Sequence, residues 1–235
     1  MSSARHFAWV VGLVLAVACP LMGGELVLKD VSLDKPLILD ENVDYRLSNV
    51  SVVGIADGAA LTLTGRIRSI DLDRCTFGRA VAGPEGKAAG LECAGAVVDR
   101  ITARQSTFFD AEIQLASLKD GSFGRVTFER CRFATSEAFL KQIYANNPWR
   151  TWPPVTEFYN IDRLELLDNE YSNTTVVIHP SVKQVIIRGT MPGLRVVSQD
   201  TQVVRLEPGQ VAETVAPPPG GPVAVKVRGG NRAAS

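Results

Sequence analysis

An eleven-residue pattern recurs along this chain at irregular intervals. It reads Ile67-Arg-Ser-Ile70-Asp-Leu72-Asp-Arg-Cys75-Thr-Phe77 and returns as Val98-Asp-Arg-Ile101-Thr-Ala103-Arg-Gln-Ser106-Thr-Phe108. Two further copies are Phe123-Gly-Arg-Val126-Thr-Phe128-Glu-Arg-Cys131-Arg-Phe133 and Ile161-Asp-Arg-Leu164-Glu-Leu166-Leu-Asp-Asn169-Glu-Tyr171. Fainter copies begin near Leu47 and Val182. One unit used several times in a row predicts a stacked solenoid, because a single unit cannot bury its apolar face alone.

Within each copy, apolar residues stand at positions one, four and six. Positions four to six alternate, which predicts a short strand with one buried face. Position nine is Cys75, Ser106, Cys131 or Asn169, and position eleven is Phe77, Phe108, Phe133 or Tyr171. A small or amide side chain at a turn can bond to the neighbouring rung, and an aromatic can stack on its counterpart. Sparse aromatics, at 7%, and glycine and proline scattered throughout also suit strands and turns.

The segments between copies include Gly90-Leu91-Glu-Cys93, Ala111-Glu-Ile113-Gln-Leu115 and Thr174-Thr-Val176-Val-Ile178. They are strand-like and vary in spacing. This favours an all-β, right-handed parallel β-helix with one short helical insertion. The alternative is a leucine-rich-repeat solenoid, which would return through helices or loose turns. Across roughly residues 40–206 the rung pattern resembles the right-handed β-helix group that includes pectate-lyase-like proteins. The resemblance implies a fold and carries no activity by itself.

Three stretches fall outside the repeat. Residues 1–24 fit an export signal: Arg5 and His6 precede an apolar run from Phe7 to Ala18, and Ala16-Val17-Ala18 fits a small-x-small cleavage site. The run is shorter than the roughly 20 residues of a membrane span. Hence no transmembrane segment is expected after signal removal. Cys19 also permits a lipid anchor, and a cut near Gly23 or Gly24 would discard it. Residues 25–206 form the β-helix domain, with a helix-and-loop insertion at 134–160. From residue 207 to 235, runs such as Pro217-Pro218-Pro219-Gly220-Gly221 predict a disordered tail.

Export implies an oxidising compartment, in which exposed thiols pair. The mature chain keeps Cys75, Cys93 and Cys131, an odd number. Cys75 and Cys131 share a repeat position with the Ser106 copy between them, so their separation is roughly 9–10 Å. That is too far for a disulfide. They are expected to be small buried residues at a turn.

Stacking the copies sorts outward residues into columns. One holds Asp71, Thr102, Thr127, Glu165 and Ile186; a second holds Asp73, Arg104, Glu129, Leu167 and Arg188; a third holds Arg100, Arg125 and Arg163. Alternating charges in register make an ion-pair ladder of about 0.2–1 kcal/mol per pair. The chemical alternative is a lyase face, where Asp71 and Asp73 would hold Ca²⁺ and Arg104 would take a proton beside a uronate. The arginine column could alternatively line a groove for an anionic glycan.

The insertion gathers Tyr144, Trp149, Arg150, Trp152 and Tyr159, flat aromatic surfaces suited to sugar rings or a protein contact. The competing expectation is that its tryptophans clamp the helix onto the stack. Twenty-five basic residues balance twenty-five acidic ones, which argues against nucleic acid as a partner. His179 is the sole histidine after the signal, so no histidine-based triad or zinc cluster is expected. These observations favour an exported, periplasmic, cell-surface or extracellular solenoid that is non-catalytic. It would bind or scaffold a polysaccharide or a cell-envelope protein, without a cofactor. The alternative is a small pectate-lyase-like polysaccharide-active enzyme.

Overall fold

A computed structural model describes residues 24–54, 58–78, 89–189, 191–192, 194, 196–198, 203–206, 211–215 and 224–228. The expected export signal, apart from Gly24, lies outside the described residues. So do Cys19 and most of the proline- and glycine-rich tail.

Each coil of the chain contributes up to three segments, and each segment hydrogen-bonds in parallel to its counterpart in the next coil. The first segment stacks Leu37–Leu39 on the beginning of Ala59–Asp73, then on the beginnings of Ala89–Arg104 and Gln114–Glu129. The same column continues through Val155–Phe158, Thr175–Ile178 and Val196–Ser198. The second segment stacks Glu25–Leu33, Asp44–Val52 and the ends of the three long strands, then Ile161–Leu167, Val185–Arg188 and Val203–Leu206. The third stacks the end of Asp44–Val52 with Thr76–Gly78, Thr107–Phe109, Arg132–Ala134 and Glu170–Ser172. The protein is therefore an all-β parallel β-helix. Its returns run through strands, which excludes the leucine-rich-repeat alternative.

The registers reproduce the sequence columns: Asp71 pairs with Thr102, Thr102 with Thr127, Thr127 with Glu165 and Glu165 with Ile186. The first faint copy is displaced from its expected frame. Leu47 registers with Leu72 and so occupies position six, with Tyr45 at position four. Val196–Ser198 continues the first column and Val203–Leu206 the second.

Position eight, polar in every clear copy, carries the corner. Arg74, Gln105, Arg130 and Asp168 all have φ near +50°, between 49° and 52°. This left-handed conformation costs a residue with a Cβ roughly 1–3 kcal/mol. The cost is offset because the turned N–H reaches the next coil: Arg74 N donates to Arg104 O, Gln105 N to Glu129 O and Arg130 N to Leu167 O.

Position nine then satisfies the rest of the corner. The Cys75 thiol donates to Leu47 O at 3.3 Å, the Cys131 thiol to Ala103 O at 3.4 Å and the Asn169 amide to Phe128 O at 3.0 Å. In each case the acceptor is position six of the coil before. The side chains also accept: Cys75 N–H donates to Ser106 Oγ and Cys131 N–H to Asn169 Oδ1. Cysteine, serine and asparagine share the position because each is small and each supplies a donor. Cys75, Cys93 and Cys131 are free and buried. Burial raises all three thiol pKa values, that of Cys131 to about 12. A thiol held protonated is a poor nucleophile.

Two residues on, Phe77, Phe108, Phe133 and Tyr171 stack through the interior at centroid distances of 5.6, 5.1 and 5.2 Å. Phe128 meets the edges of Phe108 and Phe133. Aromatic pairs of this kind add about 0.5–1.5 kcal/mol beyond their burial.

The insertion is shorter than its sequence suggests. Val155–Phe158 is a full member of the first column and pairs with strands on both sides. Only residues 135–154 leave the stack. They contain the expected helix, Glu137–Asn146 (α1), which starts at Ser136, whose hydroxyl accepts from Phe139 N. Within the tail, Val211–Val215 and Ala224–Arg228 pair antiparallel, although composition alone predicts no structure there. Ala224-Val-Lys-Val-Arg228 alternates valine with polar or small residues, a period-2 signal that the preceding prolines and glycines mask.

Phe108→Ala should destabilise the fold by about 3–5 kcal/mol in urea unfolding, since the ring has partners on three sides. Asn169→Ala should cost about 1–3 kcal/mol for each backbone group it strands at Cys131 and Phe128. A Phe108→Ala loss at the level of a surface change, about 0.5 kcal/mol, would refute the stack as a core element.

Candidate functional site

Two surfaces concentrate chemistry. The first is the outward face of the second segment, where alternation presents every other residue. Arg100, Thr102 and Arg104 stand above Arg125, Thr127 and Glu129, with Asp71 on one side and Glu165 on the other. They line an open basin of about 460 Å³. Its floor is formed by the short threonines, which are nearly buried, and its walls by half-exposed guanidiniums.

The best-ordered interaction of the face is at Glu165, whose side chain is 7% exposed. Arg125 donates to both carboxylate oxygens at 3.0 and 2.8 Å, Arg163 Nε donates at 2.7 Å and Thr127 Oγ1 at 3.0 Å. Burial pushes the Glu165 pKa up, but the hydrogen bonds from Arg125, Arg163 and Thr127 and the Arg163 charge outweigh it, and the net shift is downward. One buried carboxylate thus neutralises two stacked arginines that would otherwise repel.

Asp71, Asp73 and Arg104 each form an ion pair with a residue outside the trio. Asp71 lies 3.7 Å from Arg100, Asp73 binds its chain neighbour Arg74 at 3.1 Å, and Arg104 faces Glu129 at 3.5 Å. Among the described residues no group of three or more histidine, cysteine, aspartate or glutamate side chains is placed to hold a metal.

The second surface is the loop after α1. Trp149 is 69% and Trp152 48% exposed, and their rings meet edge to face at 5.6 Å. The clamp role considered for them falls to other residues: α1 is anchored by buried Phe139 and Ile143. Arg150, expected among the contact residues, turns inward instead and is 8% exposed. Its guanidinium donates to Glu112 O at 2.7 Å and to Trp152 O at 2.9 Å, and lies 5.9 Å from the Trp152 ring centroid. It therefore positions the tryptophans on the coil bearing Glu112. Tyr144 is half-buried on α1. Tyr159 belongs elsewhere, at the end of Val155–Phe158, where it stacks on His179 at 4.5 Å.

The inward turn of Arg150 leaves no local signal, since its main partner is 38 positions away. Glu165 likewise hides in the sequence as one more charge in a column. No protein-family model, curated protein or solved structure gives a significant match to the chain.

The Glu165 arrangement sets a pH dependence. Because its folded pKa is depressed, its stabilisation is complete above the ordinary glutamate value of about 4.3 and fades as pH falls through the lower folded value. Glu165→Gln should be less stable than the wild type at neutral pH, and the gap should close progressively in acid below about pH 4. A gap independent of pH would show that the carboxylate charge is not what the arginines need.

Proposed function

We propose that this chain is an exported, non-catalytic β-solenoid whose Trp149–Trp152 pair docks a carbohydrate chain at the cell envelope. The carrying observation is that the pair stays largely exposed while Arg150 beneath it is buried and hydrogen-bonded to Glu112 O and Trp152 O. Exposing two large aromatic rings carries a solvation cost, and fixing them with a buried cation adds a desolvation cost. A rigid aromatic pair on a stable scaffold loses little entropy when a flat sugar face packs on it. The pairing of Asp73 with Arg74 and of Asp71 with Arg100 supports the non-catalytic part of the reading.

Trp149 and Trp152 are the only tryptophans beyond residue 9, so the emission of signal-free protein reports on them alone. Titration with neutral and acidic oligosaccharides should shift that emission saturably. Trp149→Ala and Trp152→Ala should each weaken binding by about 2 kcal/mol or more, the range of interface hot spots. Their unfolding midpoints should stay within about 0.5 kcal/mol of the wild type. Arg150→Met should weaken binding as well, with a stability loss that the tryptophan variants lack. Binding unchanged in the double tryptophan variant would move the site elsewhere, and unfolding of both single variants would return the rings to a packing role.

A further inference from the structure

The arginines of the second-segment face are not equally satisfied. At the Glu165 end, the arginine hydrogen bonds are made at 2.7–3.0 Å. At the other end Arg100 and Arg104 make only ion pairs, at 3.7 and 3.5 Å, both beyond ordinary N–H···O length. Neither guanidinium makes a hydrogen bond to a described residue, although each carries five donors. Glu129, the partner of Arg104, is further shared with Arg130 at 4.0 Å. The Thr102 hydroxyl, on the basin floor between the two arginines, also makes no hydrogen bond to a described residue, whereas Thr127 in the next coil gives its proton to Glu165. Three guanidiniums (Arg100, Arg104, Arg125) and three carboxylates (Asp71, Glu129, Glu165) line the basin, and Arg163 shares Glu165 with Arg125.

We propose that the basin over Thr102 is an oxyanion site, taking a phosphate, sulfate or carboxylate group of a ligand between Arg100, Arg104 and the Thr102 hydroxyl. The chemistry matches the available groups. Guanidinium forks bind such groups with two parallel hydrogen bonds, and a hydroxyl on the floor supplies a third donor. Arg100 and Arg104 stand two residues either side of Thr102 on one strand, so the backbone places all three on the same outward face. The anion would leave the Glu165 cluster intact and relieve the residual repulsion between Arg100 and Arg125 in neighbouring coils. This site is separate from the tryptophan pair and does not depend on the carbohydrate reading.

Calorimetric titration of signal-free protein at low ionic strength with inorganic phosphate, inorganic sulfate and glucuronate tests the proposal. At least one should bind saturably, and added salt should weaken it. Thr102→Val keeps the shape of the buried side chain and removes only the hydroxyl; Arg104→Gln removes one charge. Each should weaken binding roughly tenfold, the loss of one hydrogen bond to a charged group. Arg132→Gln, on the third segment, should bind as the wild type does. Preference for phosphate or sulfate assigns the site to an ester group, and preference for glucuronate assigns it to an acidic sugar. No saturable binding of any of the three ions, or equal binding by wild type, Thr102→Val and Arg104→Gln, overturns it. Should Thr102→Val fold poorly, half-exposed Arg104→Gln decides alone.

Discussion

The corner between the second and third segments is the constraint on which this fold rests. Each coil must turn in two residues, the first of them in a conformation that residues with a Cβ disfavour. The turn would leave backbone groups stranded in the interior, and a stranded group costs about as much as the left-handed residue itself. Hydrogen bonds to the neighbouring coil resolve both problems: the left-handed N–H finds a carbonyl, and the side chain that follows bonds a carbonyl or an N–H. No coil can satisfy its own corner. The aromatic stack depends on this, because its rings meet only if every corner turns at the same height.

The outward face of the second segment obeys a related rule. Stacking in parallel register places like beside like, so a charge useful in one coil becomes a repulsion in the next. Arg100, Arg125 and Arg163 show the problem, and Glu165 answers it for two of them by going under the surface. A single residue change between coils, threonine at 127 to glutamate at 165, converts a column of like charges into an ordered cluster. At the opposite end of the face, Arg100 and Arg104 make only the longer ion pairs to Asp71 and Glu129.

Much of this was legible in the sequence because a strand alternates with a period of two, and a parallel stack repeats that alternation without offset. The cysteine, serine and asparagine column, the aromatic column and the charge columns all follow from those two facts. What escaped was of two kinds. Some signals were masked by neighbours: Pro153 and Pro154 hid the strand Val155–Phe158, and the prolines of the tail hid the alternating stretch Ala224–Arg228. Others had no local signature. The left-handed state of Arg74 or Gln105 looks like any polar turn residue, and the burial of Arg150 is decided by Glu112, far away in the chain. Of the five residues expected in the aromatic site, the sequence located Trp149 and Trp152 as exposed candidates. It could not separate Arg150, which supports them, from Tyr159, which belongs to a different contact with His179.

The lengths of the three connections carry a consequence of their own. The corner holding Arg74, Gln105, Arg130 and Asp168 never varies, since both of its residues are tied into the ladder. The connection from third to first segment varies freely: it spans Ser172 to Thr175 in one coil and Ala134 to Val155, with a whole helix, in another. The helix-bearing insertion therefore leaves the stack along this edge. An added segment there disturbs no corner and loosens no ring, so this edge is where a lineage, or an engineer, can exchange recognition loops while the scaffold keeps its stability.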